Sequence, residues 1–315
     1  MAKENFDHIY VAPDPRSYYR TLGELDYQIP AHGSAVFARL ASKCGAAEQP
    51  RVVDLCCSYG VNAALMNHDV EFDELVARYV DPDLDDLEPV EVLAADRDWF
   101  RERRCASPVH VCGVDSSEPA VVYGVEAGLL DVGFAEDLET DEPSLDLCDE
   151  MRSADLAAVS GGIGYITATT IDKVFRNMVQ PRLAALCLRW IDFTSIVDVG
   201  AAYGLVTERL DEATFPQRRF SGDMERTHIH AELDRMRIDP TGRESKGYHH
   251  ADLYVMRPDG EAAHVPLGQL LAPVGATGPA GRPVGAEDGV ATSLFRAGNE
   301  LKDNITNSPG DFRSL

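Results

Sequence analysis

The sequence predicts an α/β protein built on a doubly wound, mostly parallel sheet. Three observations carry this. Short apolar runs alternate with helix-like stretches from Arg51 to Pro258, the pattern of strands joined by covering helices. The run Arg51–Leu55 ends in small residues, Cys56 to Gly60, and passes straight into the helix-like VNAALMN. That is how such sheets bring unpaired helix-start N–H groups to a ligand. Later strand-like runs end in acids, Asp115 and Asp137 among them.

Taken in order, residues 1–50 form an N-terminal segment rich in Tyr, Pro and Gly. Their spacing predicts turns and then a helix from Ser34 to Cys44, with Ser34 as its cap. The domain proper is expected over 51–258. Within it, about 68–108 is acidic and shows helical periodicity at Phe72, Leu75, Val76 and Tyr79, and again at Val92, Leu93 and Trp99. It reads as an inserted helical subdomain. Strand-like VHVCGVD (109–115), VGFAEDLE (132–139), DLAAVSGG (155–162) and LAALCLRW (183–190) follow, with helices expected across 118–128, 170–180 and 193–203. LVTERL (205–210) and YHHADLYVMRP (248–258) complete the strands. Residues 259–315, crowded with Gly and Pro, are expected to be a flexible tail. One echo stands out: VVDLCCSYG (52–60) is matched by IVDVGAAYG (196–204). The second copy has too little chain after it for another half-sheet, so it is read as a helix of similar composition.

Charge narrows the partners. The 315 residues hold 53 acidic and 29 basic side chains, a formal net charge of −24. Such a surface repels phosphate backbones and anionic lipid heads and attracts cations. Nucleic-acid and membrane partners are therefore not expected, and no apolar run approaches the length a bilayer needs. The polar start MAKENFDHIY does not read as a signal peptide. Seven cysteines without a CxxC pair fit a reducing, cytoplasmic setting. Nothing in the sequence sets the oligomeric state.

The loop and acids together resemble the class I S-adenosylmethionine-dependent methyltransferases. In that family an acid is followed by glycines at alternate positions; Asp54, Cys56, Ser58 and Gly60 occupy the frame here. The resemblance implies a Rossmann-like sheet with a closing antiparallel strand, an N-terminal lid and the helical insertion. It implies S-adenosylmethionine as cofactor, held by Asp54, Cys56, Cys57, Ser58, Tyr59 and Gly60. Asp115 with Ser116 would take the ribose and Asp137 with Leu138 the adenine, Asp137 following Asp115 by 22 residues. Ser160 and Gly161, after the fourth strand, complete the set. Two departures are plain: Cys56 and Ser58 replace glycines, and the interval from Gly60 to Asp115 is lengthened by the insertion.

The implied activity is methyl transfer to a small-molecule acceptor, in which the protein aligns two reactants and excludes water. Tyr18, Tyr19 and Tyr27 are the expected acceptor-side residues. Tyr165, His32 and His228 are the candidate catalytic ones, a histidine because its pKa lies near neutrality. No metal is expected, since His228/His230 and His249/His250 lack a compact ligand spacing. The absence of GxSxG, P-loop and HExxH motifs excludes those hydrolase and triphosphatase classes. Three readings stay open beside methyl transfer: an enzyme that cleaves or cyclises the aminocarboxypropyl arm to release methylthioadenosine, a non-catalytic S-adenosylmethionine-binding module, and a dinucleotide oxidoreductase, disfavoured because no GxGxxG follows the first strand.

Overall fold

In the computed structural model, which describes residues 6–44 and 49–271, the N-terminal segment forms three helices: α1 (Asp7–Tyr10), α2 (Arg16–Glu24) and α3 (Ile29–Cys44). The last starts earlier than Ser34. Pro30 is tolerated in a first turn, where its missing N–H is not needed, and Ser34 is no cap: it lies buried mid-helix, its hydroxyl donating to the Ala31 carbonyl.

β1 (Arg51–Leu55) and α4 (Val61–Asn67) follow, and then the insertion, α5 (Phe72–Tyr79) and α6 (Pro89–Arg101). Both insertion helices begin with glutamate capping boxes, Glu71 with Glu74 and Glu88 with Glu91, which satisfy orphan N–H groups at each start. The insertion adds no strand. Its neck is closed by Asp69 N–H to the Arg103 carbonyl (2.7 Å) and Cys105 N–H to the Asn67 carbonyl (2.8 Å). The chain then resumes with β2 (His110–Asp115), α7 (Glu118–Glu126), β3 (Val132–Ala135), α8 (Leu145–Ser153), β4 (Leu156–Ser160), α9 (Ala168–Asn177), β5 (Leu183–Leu188) and α10 (Thr194–Ala202). It ends with β6 (Leu205–Arg209), β7 (Phe215–Arg219), α11 (Asp223–Arg235), β8 (Tyr248–Pro258), α12 (Asp259–His264) and α13 (Leu267–Leu271).

The sheet order is β3-β2-β1-β4-β5-β8-β6, with β7 also paired to β8. β1 to β5 run parallel, and β8 runs antiparallel to β5, β6 and β7. This is the doubly wound sheet with a reversed closing strand. β6 and β8 do not form a simple hairpin, because β7 and α11 intervene between them. Neither β7, whose FPQRR is too polar to read as a strand, nor α8 was legible in the sequence. The expected strand 132–139 stops at Ala135, beyond which the chain turns.

Consecutive residues of β1 serve opposite layers. Val52 packs with Phe37 and Leu40 of α3, whereas Val53 packs with Met151 of α8 and Phe175 of α9. Each such fully buried side chain contributes about 1.5–3 kcal/mol. A third cluster joins the N-terminal helices to the insertion through Tyr19 stacked on Tyr79 at 4.5 Å, with Phe72 and Phe100 around them. Beneath it Asp96 is fully buried and accepts from Arg78 Nε (2.7 Å), Tyr79 Oη (2.8 Å) and Tyr123 Oη. The expected tail is corrected at its start: Leu267, Leu270 and Leu271 recur at helical spacing and bury against α3, with Arg39 Nε donating to the Leu270 carbonyl (2.7 Å). The remainder of that tail, 272–315, lies outside the described residues. Among the described residues no helix is long and apolar enough to cross a membrane.

Candidate active site

The chain builds β1, β2 and β3 outward in one direction and then returns to lay β4 on the other side of β1. Loops leaving β1 and β4 therefore diverge, which opens a crevice at their carboxyl ends. The β1 loop has an unusual backbone. Cys56 (φ +58°) and Ser58 (φ +52°) are left-handed, as is Gly60 (φ +80°). For residues with a Cβ this costs about 1–2 kcal/mol each and persists only where surroundings enforce it. The enforcing contacts are visible: Cys57 N–H donates to the Val114 carbonyl (3.2 Å), and Ser58 N–H donates to Asp115 Oδ2 (2.9 Å). Glycine is required across the crevice, where a Cβ on Gly162 would lie 2.7 Å from Cys56 Sγ.

Asp115 closes β2 and also takes the Ser117 N–H on Oδ1 (2.9 Å). Burial pushes its carboxyl upward, against the pull of the backbone N–H groups of Ser117, Ser58 and Ser116. Asp54 is fully buried behind this loop. Its Oδ1 accepts from Asn62 Nδ2 (2.8 Å), and Asn62 Oδ1 in turn accepts from the Ser160 hydroxyl (3.0 Å). Among the described residues Asp54 Oδ2 has no hydrogen-bond partner, and burial pushes this carboxyl up to about 7, with Asn62 opposing and Asp115 adding to the rise.

The crevice is a cavity of about 420 Å³, within the range of small-molecule sites. Of the expected cofactor residues, Cys56, Cys57, Ser58, Asp115, Ser116, Asp137, Leu138, Ser160 and Gly161 line it. Asp54 reaches it only through Asn62. Tyr59 and Gly60 lie outside: Gly60 starts α4, and the Tyr59 hydroxyl sits 2.9 Å from both the Ile9 and Ala12 carbonyls. Tyr18, Tyr27 and Tyr165 line the cavity; Tyr19 does not, being spent on Tyr79. His32 and His228 are also elsewhere. His32 is packed 5.6 Å from the Phe215 ring with its pKa lowered by burial to about 4, and His228 lies on α11 away from the crevice. The histidine pairs do not converge either. His249 receives Trp190 Nε1–H on Nδ1 (3.3 Å) and places Nε2 3.4 Å from Glu225. Among the described residues no group of three or more His, Cys, Asp or Glu is arranged to hold a metal.

Sequence reasoning missed Tyr10, Val11, Asn62, Ser117, Glu136, Glu139 and Thr170, all of which line the cavity. Asn62 was within reach, as the first-turn polar residue of the helix after the loop. Tyr10 and Val11 had no local signal. They arrive because the N-terminal strap crosses the crevice, pinned by Tyr59 and by the Ser117 hydroxyl donating to the Tyr10 carbonyl (2.5 Å). Glu139 caps α9 instead of facing solvent freely: it accepts from Thr167 N (2.7 Å) and Thr170 Oγ1 (2.6 Å), and these bonds outweigh its burial and hold its carboxyl below the ordinary value. Among the described residues, four carboxylates line the cavity, Asp115, Glu136, Asp137 and Glu139, with no lysine, arginine or histidine. Such a site selects cations.

Solved structures with a similar fold include a TehB-like SAM-dependent methyltransferase from Corynebacterium glutamicum, 12% identical with a TM-score of 0.36, covering 70% of this chain and 86% of that one. The plantazolicin methyltransferase BamL, solved with a desmethylPZN analog and SAH, is 9% identical with a TM-score of 0.40, covering 79% and 93%. The mitomycin 7-O-methyltransferase MmcR is 12% identical with a TM-score of 0.37, covering 81% and 61%. No family model matches the chain, and no curated protein matches it. Likenesses this distant add nothing to the fold already described.

Proposed function

We propose that this protein is an enzyme that transfers the methyl group of S-adenosylmethionine to a small-molecule acceptor held under the N-terminal strap. The observation that carries the reading is Asp115 at the end of β2, gripping the Ser58 N–H of a left-handed loop at the β1/β4 switch point. The residues fit the cofactor on physical grounds. The cavity of about 420 Å³ is acidic, its backbone approaches closely at Gly161 and Gly162, and the Asp54–Asn62–Ser160 chain backs it with polar groups. Each oxygen of Asp115 keeps accepting capacity for a ribose diol, and Asp137, whose Oδ1 accepts Glu139 N–H, keeps Oδ2 for an adenine amine. Cys56, Ser58, Asn62 and Ser160 would surround the amino-acid end. When bound, the cofactor supplies an electrophilic methyl group on a sulfonium.

This chain's own residues orient and shield. Tyr10 and Val11 on the strap cover the crevice, Tyr18 and Tyr27 wall it, and Tyr165 stands at its rim, more than half exposed. Covering the site excludes water and fixes the two reactants in line. Neither His32 nor His228 takes part.

Asp115→Ala is expected to weaken S-adenosylmethionine binding at least tenfold by calorimetry, a loss of about 1.4 kcal/mol; unchanged affinity sinks the assignment. Incubating the pure protein with S-adenosylmethionine alone and following the mixture by mass spectrometry tests the reaction itself. Methylthioadenosine forming without an added acceptor means that the cofactor is the substrate, and methyl transfer is then wrong.

A further inference from the structure

We infer that the acceptor carries a neutral carboxamide, read by the buried side-chain amide of Gln217 together with the Tyr27 hydroxyl in a niche beside Gly161. The inference rests on the methyl-transfer reading and names its substrate class. Gln217 lies in an irregular stretch of β7. Pro216 pairs with His250 and Arg219 with Tyr248, so Gln217 and Arg218 together stand opposite His249 alone. Such a bulge re-aims side chains, and it breaks the alternation of the strand: these two consecutive polar residues are both buried, each only 2% exposed. Arg218 finds its partner in Glu225, through Nη1 (3.0 Å) and Nη2 (2.6 Å). Gln217 Oε1 is buried with no hydrogen-bond partner among the described residues. A buried acceptor without a donor is costly and calls for a group that completes it.

The amide is held at the wall of the cavity. Gln28 N–H donates to the Gln217 carbonyl (2.7 Å), fixing the bulge to the chain between Tyr27 and α3. A Cβ on Gly161 would lie 3.1 Å from both Gln217 Nε2 and Tyr27 Oη, so the missing side chain lets the two polar groups approach the loop after β4. Gly161 and Tyr27 both line the cavity. Burial raises the Tyr27 phenol well above its ordinary value, against a hydrogen bond with Tyr18 and the charge of Arg218, so Tyr27 presents a hydroxyl. The niche lies on the acceptor side. Asp115 and Asp137 belong to β2 and the turn after β3, on one flank of β1, whereas β7 reaches the crevice from beyond β4 and β5. Rotating the Gln217 amide about its last bond exchanges its ends, so in either setting it offers N–H donors and one oxygen acceptor. A carboxamide answers both: its N–H meets the oxygen of Gln217, while its carbonyl takes the N–H and the Tyr27 O–H. A ketone leaves that oxygen unmet. A carboxylate or an ammonium brings a charge that Gln217 and Tyr27 do not offset in a buried niche, Arg218 being taken by Glu225.

The test saturates the protein with S-adenosylhomocysteine and titrates benzamide, acetophenone and benzyl alcohol by calorimetry. Benzamide is expected to bind about tenfold more tightly than either of the others, since only it meets both ends of the Gln217 amide. Gln217→Leu, of similar size, is expected to abolish that preference with S-adenosylhomocysteine affinity and melting temperature held, because it removes a buried oxygen that the fold leaves unpaired. Tyr27→Phe is expected to weaken benzamide by about threefold, the scale of one hydrogen bond. Acetophenone or benzyl alcohol binding as tightly as benzamide, no detectable benzamide binding, or the preference surviving in both variants each overturns the carboxamide acceptor and leaves methyl transfer standing. A lowered melting temperature in Gln217→Leu makes the residue structural, and weaker S-adenosylhomocysteine binding gives the niche to the cofactor; either result overturns the inference in the same way. Failure of S-adenosylhomocysteine to bind the wild-type protein overturns both readings.

Discussion

Val52–Gly60 and Ile196–Gly204 share Val, Asp, Tyr and Gly at the same four positions, yet one is a strand and a cavity-lining loop and the other a helix. In the first, β2 and β4 flank the segment on both sides, Val53 facing Cys112 across one ladder and Ala157 across the other. Asp54 is fully buried there, and Tyr59 is buried beneath the strap. In the second, Asp192 Oδ1 receives Thr194 N–H (2.9 Å) and starts a helical turn that Ala201 and Ala202 continue. Asp198 is left exposed, and Tyr203 Oη bonds Asp172 Oδ1 (3.0 Å) at a half-exposed position. Even the glycines differ in use. Gly60 (φ +80°) starts α4 under Leu129 and Leu130, whereas Gly204 (φ +72°) ends α10 with open space around it. Matching letters carry a shared local grammar, and the neighbours decide what it builds.

The largest effect expected from this contrast is on pH dependence. The Asp54 carboxyl is raised from 3.8 to about 7 in the folded protein. Between those values the native state keeps a proton that the unfolded chain has released, so stability falls as pH rises through the window, by up to about 4 kcal/mol in all. Urea unfolding of Asp54→Asn at pH values across that range is expected to lack this part of the slope, while Asp198→Asn, at an exposed site, changes stability by under about 0.5 kcal/mol. A wild-type slope retained in Asp54→Asn contradicts the burial argument.

The glycines give the next largest difference. Gly60→Ala brings a left-handed Cβ to 3.1 Å from Leu129 Cβ and is expected to cost about 2–3 kcal/mol, against about 1 for Gly204→Ala. Equal losses in thermal or urea unfolding would mean that Leu129 and Leu130 yield freely.

The smallest contrast is between the tyrosines. Tyr59→Phe leaves the Ile9 and Ala12 carbonyls without their buried donor and is expected to cost about 1–2 kcal/mol, with faster hydrogen exchange in the strap; Tyr203→Phe is expected to cost under about 0.5. Unchanged strap exchange in Tyr59→Phe would show that Ser117 and packing hold the strap without it.

The sequence by itself determined the alternation that gives the sheet, the acids at the ends of β2 and beyond β3, and the loop of small residues after β1. These depend on periodicity and on residue types that stop strands, both local in origin. It also carried the helical character of the insertion, because glutamate caps and apolar spacing act within a few residues. Tertiary structure alone decided which aromatic residues face the cavity. Tyr18 and Tyr27 line it, while Tyr19, one residue from Tyr18, turns to Tyr79 of the insertion, a choice set by what packs on each side of α2. It also decided that β7 exists, since FPQRR becomes a strand only by pairing with β8. His32 and His228, plausible by type, are kept out of the cavity lining by where α3 and α11 dock. The four-carboxylate field is likewise a product of assembly. Net charge announces an acidic protein, but only the crevice between β1 and β4 brings Asp115, Glu136, Asp137 and Glu139 around one volume, with no basic side chain among the described residues that line it, because long-range packing, not local pattern, sets which charges share a cavity.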